Sequence, residues 1–393
     1  MIPEIRIEDY NYPLPDERIA KYPLAERDAS KLLEYDADGT ISEHIFRDLP
    51  ELLPTGAPMV FNDTKVVPAR MHFRRETGAV IEIFCLEPEF PVEYNLIFAA
   101  TEMCRWKCIV GNAKKWKADT LHILNPEDSR EVAEIGLTAD LVSRDGQTAE
   151  VEFRWENGIP FSRVLEVCGN IPIPPYLNRD TEAIDLERYQ TLYAKYRGSV
   201  AAPTAGLHFT ERVLDGIRSR GIDIEDVCLH VGAGTFLPVK DSLVSKHHMH
   251  REPFSVRLDL LRRLRDNGDN VTAVGTTSVR TLESLYYIGI HCIEDGQPSD
   301  DSFKESIDAI ISYLEGNGLD ELVAGTRIII VPGFRFRVVK TLITNFHQPQ
   351  STLLLLISAF VGGNWKPIYD YALAHGFRFL SYGDSSILHR ADF

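Results

Sequence analysis

A block of short strand-like segments between Val66 and Asn157 constrains the fold more than any other feature of the sequence. Turn signals such as Asp145-Gly146 separate these segments, and helical periodicity is weak throughout the block. The predicted strands are Val80 to Leu86, Tyr94 to Ala100, Trp106 to Val110, Thr120 to Ile123, Val132 to Leu141 and Ala149 to Trp155. Closely spaced short strands of this kind are typical of a small antiparallel β-barrel. We therefore predict a barrel domain over residues 66–157.

The rest of the chain alternates apolar strands with helical stretches. The strands are Met59 to Phe61, Ile224 to Val231, Val271 to Val274, Arg327 to Val331, Thr341 to Thr344 and Phe377 to Tyr382. The helices are Phe161 to Val167, Leu186 to Tyr196, Thr210 to Arg220, Leu258 to Asn267, Val279 to Tyr287, Phe303 to Glu315 and the apolar run Leu353 to Val361. Such alternation indicates an α/β domain. The predicted architecture is a discontinuous α/β domain over residues 1–65 and 158–393, with the barrel inserted in it.

Charge and cysteine usage exclude several classes of protein. The 42 Lys+Arg residues stand against 58 Asp+Glu, a net charge of −16, which argues against binding nucleic acid over the whole surface but leaves room for a local basic patch. The six cysteines follow no repeated spacing, so neither a disulfide framework nor a zinc site is predicted. The longest apolar run is about half of the roughly 20 residues that a membrane span needs. We expect a cytoplasmic protein with reduced thiols and no membrane association.

The segment Val274 to Glu283 predicts a strand, a glycine turn and a helix start. Thr277 or Ser278 is the expected helix cap, and Arg280 lies in the first turn. A helix start offers free amide groups and a positive dipole end to an anion, and arginine pairs with carboxylate or phosphate. An ordinary capped turn without a ligand is the alternative interpretation.

Two further loops are rich in small residues. Gly232 and Gly234 follow an apolar strand, but Leu237 and Pro238 rule out the dinucleotide-binding pattern, so a plain turn remains an alternative to a ligand loop. Ala201 to Thr210 combines small side chains with His208, a candidate acid or base, although close packing of a loop explains the same composition.

Histidines mark two other segments. His347 and Asn345 are predicted at the end of a strand, where α/β folds bind their ligands. His248 and His250 lie close to Glu252, but the helical spacing of a zinc protease is absent. Metal ligands, protonatable site residues and surface histidines all remain open for this segment.

Basic clusters are few. They are Arg70 with Arg74-Arg75, Lys114 to Lys117, and Arg335 to Lys340. The first two lie in the predicted barrel, where Trp106 and Trp116 are candidates for stacking on bases. A solvated charged face is the alternative interpretation.

Long segments of the chain, taken in order, resemble one family, the S-adenosylmethionine:tRNA ribosyltransferase-isomerases of queuosine biosynthesis. The resemblance covers nearly the whole chain and rests on these segments: Phe61 to Arg70, Ile171 to Tyr176, Glu187 to Gln190, Gly198 to Thr210, Leu229 to Phe236, His247 to Glu252, Gly275 to Glu283, Thr344 to Leu355 and Ser381 to Asp384. Departures occur at Lys31, at Arg327 to Val331 and in a longer stretch over residues 290–325.

The resemblance implies an enzyme. The family transfers and isomerises the ribosyl group of S-adenosylmethionine onto 7-aminomethyl-7-deazaguanine at the wobble position of tRNA, giving epoxyqueuosine and releasing adenine and methionine. It also implies the predicted fold, S-adenosylmethionine as co-substrate without a further cofactor or metal, and tRNA bound through its anticodon loop. We expect a monomer.

The same resemblance assigns roles to residues of this chain. The acid and base candidates are His347, His208, His250 and His230. The S-adenosylmethionine site is assigned to Gly232, Gly234, Thr277, Ser278 and Arg280. Substrate binding is assigned to Asn62, Asp63, Lys65, Glu252, Asn345 and Asp384. Two other functions remain as alternatives: a non-enzymatic tRNA-binding protein and a metal-dependent hydrolase.

Overall fold

The computed structural model describes residues 4–117, 119–125, 128–146, 148–231, 243–246, 249, 251–268, 270–292 and 302–390. The strands are β1 (Lys31–Tyr35), β2 (Ile41–Ile45), β3 (Met59–Asn62), β4 (Thr64–Val66), β5 (Arg70–Arg74), β6 (Val80–Phe90), β7 (Met103–Gly111), β8 (Leu121–Ile123), β9 (Thr138–Asp145), β10 (Thr148–Arg154), β11 (Gly169–Asn170), β12 (Tyr196–Ser199), β13 (Ile224–Leu229), β14 (Glu252–Arg257), β15 (Val271–Val274), β16 (Glu321–Thr326), β17 (Val339–Asn345) and β18 (Ser385–His389). The helices are α1 (Leu49–Leu52), α2 (Tyr94–Ala99), α3 (Arg130–Ile135), α4 (Phe161–Cys168), α5 (Ala183–Arg188), α6 (Glu211–Ser219), α7 (Leu258–Asn267), α8 (Thr276–Cys292), α9 (Phe303–Gly316), α10 (Thr352–Phe360) and α11 (Trp365–Ala374).

A large mixed sheet forms the centre of the α/β part. Among the described residues its strand order is β16-β14-β13-β3-β15-β17-β18-β1-β2. The four central strands β13, β3, β15 and β17 run parallel to one another, whereas β14 and β18 flank them in the antiparallel direction. The carboxyl ends of the central strands therefore meet the amino ends of β14 and β18 at one edge of the sheet.

Helices cover both faces of this sheet, as expected for strands that are buried on both sides. Consecutive residues of β3 show the alternation: Val60 packs with helices α7 to α11, while Met59 and Phe61 pack with α1 and α6. The predicted α/β architecture is thus present, and its core lies on both faces of one sheet.

The second sheet is the predicted antiparallel barrel. Within residues 70–154, apart from 118, 126–127 and 147, six strands pair in the order β5-β6-β7-β10-β9-β8, and β8 pairs again with β5 to close the barrel. Its core contains Trp106, Phe153 and, from α4, Phe161. The short parallel pair β4 and β12 lies beside the end of β3, so the barrel is attached at the same edge of the large sheet.

Two predicted barrel strands are wrong. Residues 94–99 form helix α2, which turns Ile97 and Phe98 into the barrel core. The segment Val132 to Leu141 divides into α3, capped by the Ser129 hydroxyl, and β9, because Gly136 adopts a left-handed φ of 59° that ends the helix. β5 supplies the strand that the sequence pattern missed.

Three other predicted elements also differ. The helix predicted over Leu186 to Tyr196 ends at Arg188 in the structure. Tyr196, the last residue of the predicted helix, is instead the first residue of β12. The predicted strands Arg327 to Val331 and Phe377 to Tyr382 are irregular in structure. The strands that pair in the sheet are β16, which ends just before the first segment, and β18, which begins just after the second. The Thr326 hydroxyl accepts the Ile328 amide at 3.0 Å, which turns the chain away from the sheet.

The tryptophans of the barrel are core residues. Trp106 and Trp116 are each 1% exposed, so they offer no surface for stacking on bases. Arg75 in the same region is paired with Asp119 at 2.7 Å. Among the described helices, none combines the length and the apolar character that crossing a membrane requires.

Asn62 joins two parallel strands through its side chain. Its Nδ2 donates to the Leu229 carbonyl, and its Oδ1 accepts the Leu229 amide, both at 3.0 Å. The side chain therefore acts as an extra rung between β3 and β13 where the backbone ladder ends.

We predict that Asn62→Ala lowers the free energy of unfolding by about 2 kcal/mol or more, because it leaves a buried donor and a buried acceptor without partners. Urea unfolding measures the change. Asn170→Ala, at an exposed position of β11, is the matched control and should leave the midpoint nearly unchanged. An Asn62→Ala protein as stable as this control would contradict the structural role.

Candidate active site

The edge where the central strands end gathers most of the predicted site residues. Asn62 and Asp63 end β3, His230 follows β13, Thr277 follows β15, and Asn345 ends β17. The antiparallel neighbours bring Glu252 at the start of β14 and Asp384 just before β18 to the same edge. Ligands of α/β folds bind at the carboxyl ends of parallel strands, so this edge is the candidate active site.

The start of α8 carries two buried donors without partners. Among the described residues, Thr277 Oγ1 and Arg280 Nη2 make no hydrogen bond although both atoms are buried. The Ser278 hydroxyl, in contrast, donates back to the Val274 carbonyl at the end of β15, at 2.8 Å, so its hydrogen is not free for a ligand. Two unpaired donors beside the positive end of a helix form a site for an anion.

Arg280 is held in place by two contacts. Its Nη1 forms a buried ion pair with Glu252, and its Nε donates to the Ile328 carbonyl at 3.3 Å. A buried guanidinium needs such a partner because desolvation of an isolated charge is costly. These contacts fix the position of the guanidinium group, and its Nη2 is left to donate to a ligand.

His208 lies in the short 3₁₀ helix Thr204–His208 and is 5% exposed. Its Nε2 is 3.1 Å from Asn345 Nδ2, which can only donate, so Nδ1 carries the proton and donates to Ser30 Oγ at 3.0 Å. Burial, with Arg378 and Arg27 nearby, lowers the pKa of His208 to about 3. The imidazole is neutral at pH 7, and both of its nitrogens are engaged.

His347 follows β17 and is also buried. Thr344 Oγ1 is 3.0 Å from its Nε2, and its backbone amide donates to the Tyr369 hydroxyl at 3.0 Å. Burial lowers the pKa of His347 to about 4. The hydrogen bonds of the described residues engage Nε2 and leave Nδ1 for a ligand.

His230 connects the sheet edge to the barrel. Its ring stacks on Tyr94 of α2 with centroids 4.9 Å apart, and burial lowers its pKa to about 4. A Cβ on Gly198 would lie 2.4 Å from His230 Nδ1, so only glycine fits beside this ring. The Tyr94 pKa is raised, mainly by burial and also by Glu87 and Glu252, which places Glu252 in the same neighbourhood.

Asp63 is a buried carboxylate with an incomplete set of partners. Its Oδ1 makes no hydrogen bond among the described residues, and Lys195 Nζ is 4.0 Å from Oδ2. Burial and the nearby Asp226 raise the Asp63 pKa to about 7. The group is therefore divided between its acid and its carboxylate form at neutral pH.

The remaining described candidates differ in how far they are free for a ligand. Asp384 accepts hydrogen bonds from the Lys31 amide and from the amide and guanidinium of Arg378, so its carboxylate fixes a turn. Asn345 Oδ1 is buried and has no partner among the described residues. Lys65 is half-buried in β4, beside the barrel.

Three predicted residues lie outside the described residues: Gly232, Gly234 and His250. Their roles stay predictions. Among the residues that are described, no group of three His, Cys, Asp or Glu side chains is placed to hold a metal ion.

The sequence pattern missed several residues near this edge. The sequence pattern places Tyr94 in a strand and assigns no role to Ser30, Arg27 or Arg188, although Arg188 lies in the segment Glu187 to Gln190 that carries the family resemblance. Nothing local in the sequence marks a cluster that only the fold assembles.

The lowered pKa values of the buried histidines imply that the stability of the fold depends on pH. Because burial lowers the pKa of His208 below the unfolded value of about 6.5, the unfolded chain binds more protons between those values, and stability falls as pH falls. Asp63, with its raised pKa, acts in the opposite sense between about 4 and 7, so a variant comparison is needed.

We predict that the wild-type free energy of unfolding drops more steeply than that of His208→Gln below pH 6.5, by up to about 1.4 kcal/mol per pH unit. Urea unfolding at several pH values measures both slopes. Parallel curves would show that His208 is protonated equally in the folded and unfolded chains.

Comparisons with known proteins agree over nearly the full length. A family described as "Queuosine biosynthesis protein" matches residues 7–388. The S-adenosylmethionine:tRNA ribosyltransferase-isomerase of Citrifermentans bemidjiense is 39% identical over 97% of this chain and 99% of its own length. The protein of the same name from Anaeromyxobacter sp. is 37% identical over 99% of this chain and all of its own length.

Among solved structures, the S-adenosylmethionine tRNA ribosyltransferase of Thermotoga maritima is 27% identical, covering 97% of this chain and 99% of its own, with a TM-score of 0.47. The sequence matches alone carry the assignment. Because they span the chain and the full length of its relatives, the chain belongs to the queuosine biosynthesis family of S-adenosylmethionine:tRNA ribosyltransferase-isomerases.

Proposed function

We propose that this chain transfers and isomerises the ribosyl group of S-adenosylmethionine onto 7-aminomethyl-7-deazaguanine at the wobble position of tRNA. The product carries epoxyqueuosine, and adenine and methionine are released. Full-length similarity to relatives of that name supports the activity. S-adenosylmethionine is the co-substrate, and we propose no further cofactor or metal.

The observation that carries the proposal is the pair of unpartnered donors at the start of α8. S-adenosylmethionine presents a carboxylate, and Thr277 Oγ1 with Arg280 Nη2 supplies a hydroxyl and a charged donor for it. Glu252, paired with Arg280, adds a carboxylate that favours the cationic part of the same ligand. Gly232 and Gly234 are our candidates for lining the adenosine.

The chemistry needs a base and then a proton donor. The sulfonium acidifies the adjacent ribose C5′, so a neutral group with a free lone pair can remove a proton there. We assign this role to His347, because both nitrogens of His208 are already engaged; His208 then orients Asn345. His230, whose pKa burial also lowers to about 4, and His250 remain alternative candidates for the base.

Departing adenine needs a proton or a hydrogen-bond donor. A histidine with a pKa near 4 is seldom protonated at pH 7, whereas Asp63, with a pKa of about 7, holds a proton in about half of the molecules. We therefore propose Asp63 for this step or for a contact with the deazaguanine. Asn345 Oδ1 is the candidate acceptor for a donor group of the base.

Finer parts of the proposal concern organisation and partners. We propose that residues 66–157 form a domain inserted into an α/β domain of residues 1–65 and 158–393. Strands β5 to β10 are contiguous in sequence, which supports this division. We further propose a cytoplasmic monomer that binds the anticodon loop, with Asn62, Lys65 and Asp384 near the RNA. Loops with splayed bases need only a local basic groove, which suits a chain of net charge −16.

Analysis of the reaction products tests the proposed activity. Purified protein mixed with S-adenosylmethionine and tRNA bearing 7-aminomethyl-7-deazaguanine should release adenine and methionine, and the digested wobble nucleoside should gain the matching mass. Methylated nucleoside would instead indicate a methyltransferase, and loss of activity with a chelator would favour a metal-dependent hydrolase. Binding of tRNA with intact S-adenosylmethionine would leave a binding protein.

If the donors at the start of α8 bind the carboxylate of S-adenosylmethionine, a substitution there should change the KM for S-adenosylmethionine and leave the KM for tRNA unchanged. Thr277→Val should raise the KM for S-adenosylmethionine by about tenfold or more, because one hydrogen bond to a charged group is lost. The KM for tRNA should stay constant. Thr281→Val is the matched control, since the hydroxyl of Thr281 is used within α8 by the Thr277 carbonyl. Equal effects of the two variants on S-adenosylmethionine would contradict the assignment.

A further inference from the structure

A pocket on the far side of His208 is not used by the chemistry assigned above. It lies against the start of β1 and the turn before β18. The arginines that line it are Arg27, Arg188 and Arg378, and its wall also includes the polar residues Ser30, His208 and Tyr382. We call these six residues the arginine pocket.

Within the described part of the chain, two of these arginines form no ion pair with a carboxylate. Arg27 donates to the backbone carbonyls of Glu187, Gln190 and Leu207, and Arg188 donates to those of Leu24 and Ala25. Among the described residues, the buried Nε of Arg188 has no partner at all. Carbonyl groups orient a guanidinium but do not neutralise it, so two positive charges remain side by side.

The acidic groups nearby are already engaged or turned elsewhere. Asp384 pairs with Arg378 at 2.9 Å, and Asp185 is held by Arg179 and by the Tyr382 hydroxyl. Glu187 is exposed and contributes its carbonyl rather than its carboxylate to Arg27. Burial and the charge of Arg188 lower the pKa of Arg27, and the charge of Glu187 offsets this effect only in part.

Ser30 adds a directed donor to the pocket. Because Nδ1 of His208 donates to Ser30 Oγ, the hydroxyl hydrogen of Ser30 is left to donate elsewhere. Together with the unpartnered Nε of Arg188 and the positive charges of the guanidinium groups, it forms a set of donors that can hold an oxyanion. Such a set is complementary to an oxyanion.

Both substrates of the proposed reaction carry oxyanions, and charge distinguishes them. S-adenosylmethionine has one carboxylate but also a sulfonium and an ammonium group, so uncompensated arginines repel the ligand as a whole. A phosphodiester of RNA carries negative charge without a neighbouring cation. In a chain of net charge −16, a concave cluster of arginines is also the local basic site that RNA binding requires.

We propose that the arginine pocket binds a backbone phosphate of the RNA substrate. This proposal rests on the proposed function, because that function supplies the RNA. A phosphate contact in the arginine pocket would position the RNA without reading its sequence. This contact is separate from the carboxylate site at the start of α8.

The test compares binding of a fluorescent anticodon stem-loop by the full chain, without S-adenosylmethionine, at several salt concentrations. Arg188→Gln should weaken binding about tenfold and reduce the slope of log Kd against log salt by about 0.7 to 0.9, the value for one phosphate contact. Arg188→Lys, which keeps the charge, should restore most of the slope. The KM for S-adenosylmethionine should stay within twofold of wild type.

Arg220→Gln is the matched control. Arg220 also has a buried Nε without a partner among the described residues, but its charge is paired with Glu51 outside the pocket. The control should bind RNA like the wild type, and thermal unfolding checks that each variant is folded. If Arg188→Gln fails to fold, Arg27→Gln replaces it and should weaken RNA binding in the same direction, because it also removes one positive charge from the pocket.

The other outcomes are distinct. Unchanged RNA binding with a raised KM for S-adenosylmethionine would assign the pocket to the carboxylate and overturn the proposal, and unchanged values for both substrates would overturn it as well. Because binding is measured without turnover, a wild-type protein that binds RNA through Arg188 but releases no adenine would refute the proposed activity and keep the pocket.

Discussion

The direction of the strands determines where everything else in this molecule lies. Four neighbouring strands, β13, β3, β15 and β17, run in parallel, so their carboxyl ends meet at one edge. The antiparallel strands on either side bring Glu252 and Asp384 to that edge by their amino ends. Residues that are hundreds of positions apart in sequence thereby become neighbours, and the barrel is attached where the same edge would otherwise open to solvent.

Desolvation gives this edge its chemical character. The same burial that makes His208, His230 and His347 neutral also moves the pKa of Asp63 towards neutrality, because the charged form of each group is disfavoured. Cations persist there only where geometry holds them, as Glu252 holds Arg280. A site of this kind presents lone pairs and fixed donors to a charged ligand and contains few mobile charges of its own.

The sequence allowed the architecture to be predicted because strand and helix patterns are local. β15 was predicted with its observed bounds, and the buried helix α10 begins one residue from the predicted start. The errors arose where tertiary contacts override local preference: the apolar residues of 94–99 read as a strand, yet a helix places Ile97 and Phe98 in the barrel core. Candidate residues at strand ends could be listed from motifs, whereas Arg27, Arg188 and Ser30 become a cluster only when separate loops meet. The spacing of these residues in the sequence does not predict that they lie close together in the fold.

The stacking of Tyr94 on His230 has a consequence for how proteins of this architecture diverge. The barrel does not behave as an independent module that recombination can replace without effect, since one of its rings forms a wall beside a candidate catalytic histidine. A chimera that takes its barrel from a relative also takes that relative's residue at position 94, and the surroundings of His230 change with it. The aromatic contact between Tyr94 and His230 therefore restricts which barrels are compatible with this site.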